Sequence, residues 1–135
     1  MRRAQLALII GDTVTLFVFA WLGRVSHQKS GLVETVGTAW PFWVGWLCAG
    51  WLLGAYRSQA ATLSPTRALR LTAKTWALGV PLGLLVRALW MRRAIPPSFA
   101  VVTMMTTLVL MTLWRVGFAA LSRRRLGPVS ESHGR

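Results

Sequence analysis

At 135 residues, with 54% hydrophobic and only 14% charged side chains, the chain carries more apolar surface than one soluble core of that size encloses. Lipid must therefore be part of its solvent. Sixteen Lys and Arg against three acids give a net charge of +13. The charges stand at the edges of apolar runs, as membrane topology requires, and no nucleic-acid recognition module accompanies them. Nucleic acid is not an expected partner; anionic lipid headgroups at the cytoplasmic face are.

The first apolar stretch, QLALIIGDTVTLFVFAWLG, predicts a span over residues 4–23, close to the ~20 residues a bilayer requires. Arg2 and Arg3 before it could introduce a secretory leader. Asp12 breaks the would-be leader core, however, and no small-x-small cleavage site follows, so the helix is read as retained. A polar loop with Arg24, His27, Lys29 and Glu34 leads to the second span, residues 39–56. Pro41 suits its first turn. Trp40 and Trp43 are placed at the interface, whereas Trp46 and Trp51 are expected to pack against neighbouring helices. Gly50 and Gly54 form a small-xxx-small pair that would let another backbone approach. Cys48, the single cysteine, has no internal disulfide partner and is read as a small packing residue.

Ser64-Pro65-Thr66 is a helix-start signature, and a short surface-lying segment is expected to lead into the third span, residues 71–91. Lys74 and Arg87 lie near its ends and can snorkel. Pro81, between Gly79 and Gly83, predicts a bend, and the two glycines are further helix-packing candidates. Arg92, Arg93 and Pro96-Pro97 make a tight hairpin to the fourth span, residues 98–121, which Ser98 can cap. Its threonines are expected to satisfy themselves on their own helix backbone. Residues 127–135 read as a disordered polar tail. The fold class is therefore all-α, an integral membrane four-helix bundle forming one domain over residues 1–126. Arg2, Arg3, Arg57, Arg67, Arg70, Lys74, Arg123, Arg124, Arg125 and Arg135 fall on one side, against Arg24, Lys29, Arg87, Arg92 and Arg93 on the other. That bias places both termini in the cytoplasm and the protein in the inner (plasma) membrane.

Asp12 lies about eight residues inside the first span, roughly 12 Å at 1.5 Å per residue. Arg115 lies about seven residues inside the fourth from the same side, roughly 10 Å. The matching depths predict an interhelical Asp12–Arg115 pair, because ionised groups in hydrocarbon must be paired, hydrated or neutralised. Such a pair can set which helices are neighbours, or hold a proton, an anion or a polar substrate. Exchanging the two charges is expected to restore folding if its role is structural. At the opposite surface Arg24, His27, Glu34 and Arg87 form a second polar cluster, in which Glu34 pairs with Arg24 or Arg87. His27 could titrate near neutral pH, but without a spaced second ligand it indicates no metal site.

Several short stretches resemble an uncharacterised prokaryotic membrane-protein family, domain of unknown function 3054. They are Gly11-Asp12, Gly23-Arg24 with Ser26-His27, Glu34-Thr35, Ala39-Trp40-Pro41-Phe42 with Gly45-Trp46, Ser98-Phe99 and Trp114-Arg115. The resemblance implies a four-helix membrane protein and carries no assigned activity, cofactor or catalytic residue.

Enzyme chemistry is not expected. There is no paired carboxylate set, no nucleophile near a base, no metal-ligand cluster and no phosphate loop. Three classes stay open. The first is an accessory or scaffold subunit that forms a homo-oligomer or joins a larger membrane complex. The second is a small transporter or channel subunit using Asp12, Arg115 and the bend at Pro81. The third, a pigment or lipid-cofactor binder, rests on His27 and the tryptophans alone, so no cofactor is expected.

Overall fold

The computed structural model describes residues 2–25, 31–57 and 63–126. They form four helices in chain order: α1 Arg2–Val25, α2 Leu32–Leu53, α3 Pro65–Met91 and α4 Pro97–Leu126. There is no strand among the described residues. Each helix is long and apolar enough to cross a membrane. Consecutive helices run antiparallel, and the bundle closes as a ring in which α1 and α3 each contact α2 and α4. One end gathers Arg2, Leu53, Pro65 and Leu126, and is called the near end below. The far end gathers Val25, Leu32, Met91 and Pro97. His27 and the expected tail at residues 127–135 lie outside the described residues.

The surface is apolar where a soluble protein would be polar. In α1, Leu6, Ile10 and Val14 recur every fourth residue, and each is more than half exposed. The opposite stripe, Leu8, Asp12 and Leu16, is about 1% exposed at each position. The polar residue is inside and the aliphatic ones outside. That arrangement is stable only when hydrocarbon is the outer solvent. In α4, Val101, Met105, Val109 and Leu113 repeat the outward stripe at the same spacing. This protein is a membrane protein.

All four helices begin before the expected spans, and α1 and α4 also run past them, whereas α2 stops at Leu53, three residues short of the expected Tyr56. Leu32 and Val33 already belong to α2, so Pro41 sits inside that helix instead of in its first turn. Ser64 caps α3 by accepting from the Arg67 N–H at 3.3 Å, and the helix continues from Pro65 without a separate surface segment. It also stays helical through Pro81. α4 opens on Pro97, so Ser98 lies within the helix and not at its cap. Thr75 and Thr107 donate to the carbonyls of Leu71 and Thr103, the self-satisfaction expected of hydroxyls in a dry helix.

The closest approach between helices is that of α2 to α3, and glycines permit it. A Cβ added at Gly45 would lie 2.5 Å from the Gly79 carbonyl oxygen and 2.6 Å from the Gly83 nitrogen, both backbone atoms that cannot yield. Gly79 and Gly83 thus pack as helix-contact residues, and Gly45 is their counterpart. Gly50 and Gly54 do not. Gly54 adopts φ 77°, ψ 23° and ends α2, its N–H and that of Ala55 closing on Trp51 and Gly50 carbonyls. A residue in the left-handed region terminates the helix, so no small-residue helical face exists there. Trp51 also differs from expectation: it is 79% exposed on the outward surface, where Cys48 is exposed too. Tryptophans elsewhere brace the bundle. Trp43 donates to the Thr13 hydroxyl of α1 and Trp76 to the Met104 carbonyl of α4, both at 2.9 Å. Phe42 of α2 packs edge-on to Phe19 of α1.

Candidate functional site

Asp12 occupies the middle of α1, about 15 Å from its first residue at 1.5 Å per residue. Arg115 stands about 17 Å from the end of α4 by the same rise. Their side chains meet in the core, where Asp12 is 1% and Arg115 6% exposed. The guanidinium grips the carboxylate side-on. Arg115 Nε donates to Asp12 Oδ1 at 2.8 Å, and Arg115 Nη2 donates to Oδ2. This two-pronged geometry is the strongest form of a charged hydrogen bond.

Three neutral donors complete the carboxylate. Trp46 Nε1 reaches Oδ2 at 2.8 Å, the Tyr56 hydroxyl reaches Oδ2 at 2.5 Å, and Trp114 Nε1 reaches Oδ1 at 3.0 Å. Arg115 uses its remaining terminal nitrogen, Nη1, on the Ala55 carbonyl at 3.1 Å and lies 5.1 Å from the centre of the Tyr56 ring. One acid therefore receives five hydrogen bonds from three separate segments of the chain. Among the described residues, no buried side-chain nitrogen or oxygen lacks a partner.

Local backbone features bring these donors in. Gly11 precedes the acid because the Trp114 indole lies across α1 there; a Cβ at Gly11 would overlap that ring. Gly50 leaves room for the Tyr56 ring, whose nearest atom would be 2.6 Å from an added Cβ. Gly54 turns the chain back so that Ala55 and Tyr56 re-enter the core, both at most 7% exposed although they follow the end of the helix. Gln5 then fastens the returning segment by donating to the Tyr56 carbonyl at 2.9 Å. Gly50 and Gly54 thus serve the Asp12 site and not a helix–helix face.

Sequence reasoning missed Trp46, Tyr56 and Trp114 as partners of Asp12. Trp46 lies seven residues from the end of α2, roughly 10 Å by the helical rise. Counted in the expected span 39–56 it lies ten residues in, roughly 15 Å and within one helical turn of the depth assigned to Asp12, so the same argument applied to N–H-bearing aromatics would have selected it. Trp114 is Arg115's neighbour. Tyr56 carried no such signal, because its position depends on the turn at Gly54.

The space around the pair is filled. The cavity that touches Arg115, also lined by Leu8, Thr72 and Thr75, holds about 10 Å³, room for one water at most. Four of the five donors to Asp12 are N–H groups, which cannot accept a proton from it. The arrangement holds a fixed carboxylate; it offers no ligand a place.

The far-end residues are more open. Arg24 Nη2 stands 3.9 Å from Glu34 Oε2, so the acid is on Arg24 and not on Arg87. Arg87 lies over the Phe99 ring, 4.8 Å from its centre. Both arginines line one cavity of about 660 Å³. No group of three or more His, Cys, Asp or Glu among the described residues could hold a metal ion.

Four apolar helices closed around an internally neutralised acid define an integral membrane helix bundle whose buried charge is consumed by its own fold. Over residues 9–118 the chain matches the family described as "Protein of unknown function (DUF3054)", and it belongs to that family. No curated protein and no solved structure matches it.

Proposed function

We propose that this protein is a non-enzymatic accessory or scaffold subunit of the inner (plasma) membrane, with both termini cytoplasmic, that packs with itself or with a larger membrane complex. The observation that carries this reading is the saturation of Asp12. Intramembrane ionisable groups that move protons or ions need a vacant partner or a water path. Here five donors occupy the carboxylate, and the adjoining space holds one water at most. A rigid clasp that fixes three segments suits a protein whose work is done by its outer surface. On that surface Trp51 and Leu52 stand 79% and 72% exposed near the end of α2. Trp51, near a helix end, also has the position of an interfacial tryptophan, and it is the point at which the proposed contact with a second transmembrane helix is probed.

Purification in a mild detergent after in-membrane crosslinking tests the proposal. A stoichiometric assembly, with itself or a larger membrane protein, that weakens in Trp51→Ala is the expected result. A monomer that conducts protons or a solute in vesicles, and loses the flux in Asp12→Asn while remaining folded, overturns it in favour of a transporter or channel subunit.

A further inference from the structure

At the far end the helices part instead of closing. The opening is a cavity of about 660 Å³, within the roughly 300–1,000 Å³ of ordinary small-molecule sites. Its walls are apolar, with Phe19 and Ala20 from α1 and Phe99 and Val102 from α4, and Arg24 and Arg87 reach it from α1 and α3. A smaller cavity of about 190 Å³ shares Arg87, Pro96 and Phe99 with it and adds Arg93. Three guanidinium-bearing residues therefore border one continuous wall. Glu34 is the one acid among the described residues of this end, and it stands 3.9 Å from Arg24. The balance is positive. α4 also begins here, at Pro97, with Ser98 and Phe99 of its first turn on the same wall, so the positive end of its dipole lies there. Val102 is 62% exposed, so the apolar side of the cavity opens laterally, toward where acyl chains run.

We propose that this cavity binds one anionic phospholipid, with its phosphate among Arg24, Arg87 and Arg93 and an acyl chain laid along Phe19, Phe99 and Val102. Charge and shape each select part of this ligand. Like-charged guanidiniums held at the edge of a low-dielectric region repel one another, and a phosphate relieves that repulsion while accepting their forked hydrogen bonds. A free anion would use the arginines but not the apolar wall. A neutral amphiphile would use the wall but not the arginines. The site stands apart from the assembly role proposed above, because it rests on the far-end cavity and not on Asp12 or Trp51.

The test is native mass spectrometry of the delipidated full-length chain in dodecyl maltoside, titrated with phosphatidylglycerol, phosphatidylcholine or inorganic phosphate. A single phosphatidylglycerol adduct is expected, and phosphatidylcholine should bind more weakly. Each guanidinium near a headgroup contributes about fivefold, so Arg24→Gln with Arg87→Gln should weaken phosphatidylglycerol by about 30-fold. Arg24→Lys with Arg87→Lys should retain most of the binding. Val102→Trp, which fills the apolar wall and leaves every charge in place, should also abolish the adduct. Arg70→Gln, at the near end of α3, should change nothing. Equal retention of the two lipids, equal weakening by Arg70→Gln, or an unaffected Val102→Trp would each overturn the proposal. So would inorganic phosphate that displaces the lipid at equal concentration, which would mark a free-anion site.

Discussion

Exchanging the charges, Asp12→Arg together with Arg115→Asp, separates a simple ion pair from the clasp seen here. Were the interaction only Coulombic, the swapped pair would restore stability, as the sequence alone suggests. The structure leads to the opposite expectation. The Trp46 and Trp114 indoles are aimed at position 12 from 2.8 and 3.0 Å, and an arginine there cannot accept from either. At position 115 the new carboxylate would face the Ala55 carbonyl, an acceptor against an acceptor. Each buried donor left unmade costs about 1–3 kcal/mol, so two lost indole bonds leave the swap roughly 2–6 kcal/mol less stable than the native chain. Each single change strands a buried charge at about 3–5 kcal/mol. The neutral double variant Asp12→Asn with Arg115→Gln keeps an acceptor oxygen at position 12 and should be more stable than the swap. Equilibrium unfolding in mixed micelles of increasing dodecyl sulfate, followed by tryptophan fluorescence, reads the native chain and all four variants. A swap within about 1 kcal/mol of native would refute the reasoning, because the neutral donors would then contribute nothing.

Tyr56→Phe keeps the ring against Gly50 and removes only the hydroxyl 2.5 Å from Asp12, so a loss of about 1.5–3 kcal/mol is expected in the same unfolding assay. Unchanged stability would show that the hydroxyl is dispensable. Gly45→Ala drives a methyl against the α3 backbone and should cost about 1–3 kcal/mol, whereas Gly37→Ala, with nothing within 4 Å, should be neutral or stabilise α2 by up to about 1 kcal/mol. Equal effects at the two glycines would contradict the close α2–α3 approach. Gly54→Ala forces a side chain into φ 77° and should cost about 1–2 kcal/mol. It should also increase hydrogen exchange at Ala55 and Tyr56, and a protected segment in that variant would refute the role given to the turn.

The four membrane-length helices were legible because hydrocarbon imposes a simple rule on a chain. Apolar runs long enough to cross the bilayer must satisfy their own backbone, and arginines collect at their ends. Depth along a helix was legible for the same reason: a fixed rise of 1.5 Å per residue puts Asp12 and Arg115 at one level without reference to any other contact. What a linear count could not supply was azimuth and return. Whether Trp46 faces Asp12 and Trp51 faces outward depends on how α2 is rotated, and Gly45 against Gly79 and Gly83 sets that rotation. Gly50 and Gly54 have the spacing of a packing pair, yet the left-handed turn at Gly54 makes them the seat of Tyr56. The far-end cavity is likewise a product of how helices diverge, since Arg24 is distant in the chain from Arg87 and Arg93 and shares a wall with them only once α1, α3 and α4 are assembled. Composition and periodicity determined that this chain crosses a membrane and where its buried charges lie in depth. Tertiary packing decided which donors those charges meet, because side-chain hydrogen bonds depend on direction, which sequence spacing along one helix leaves free.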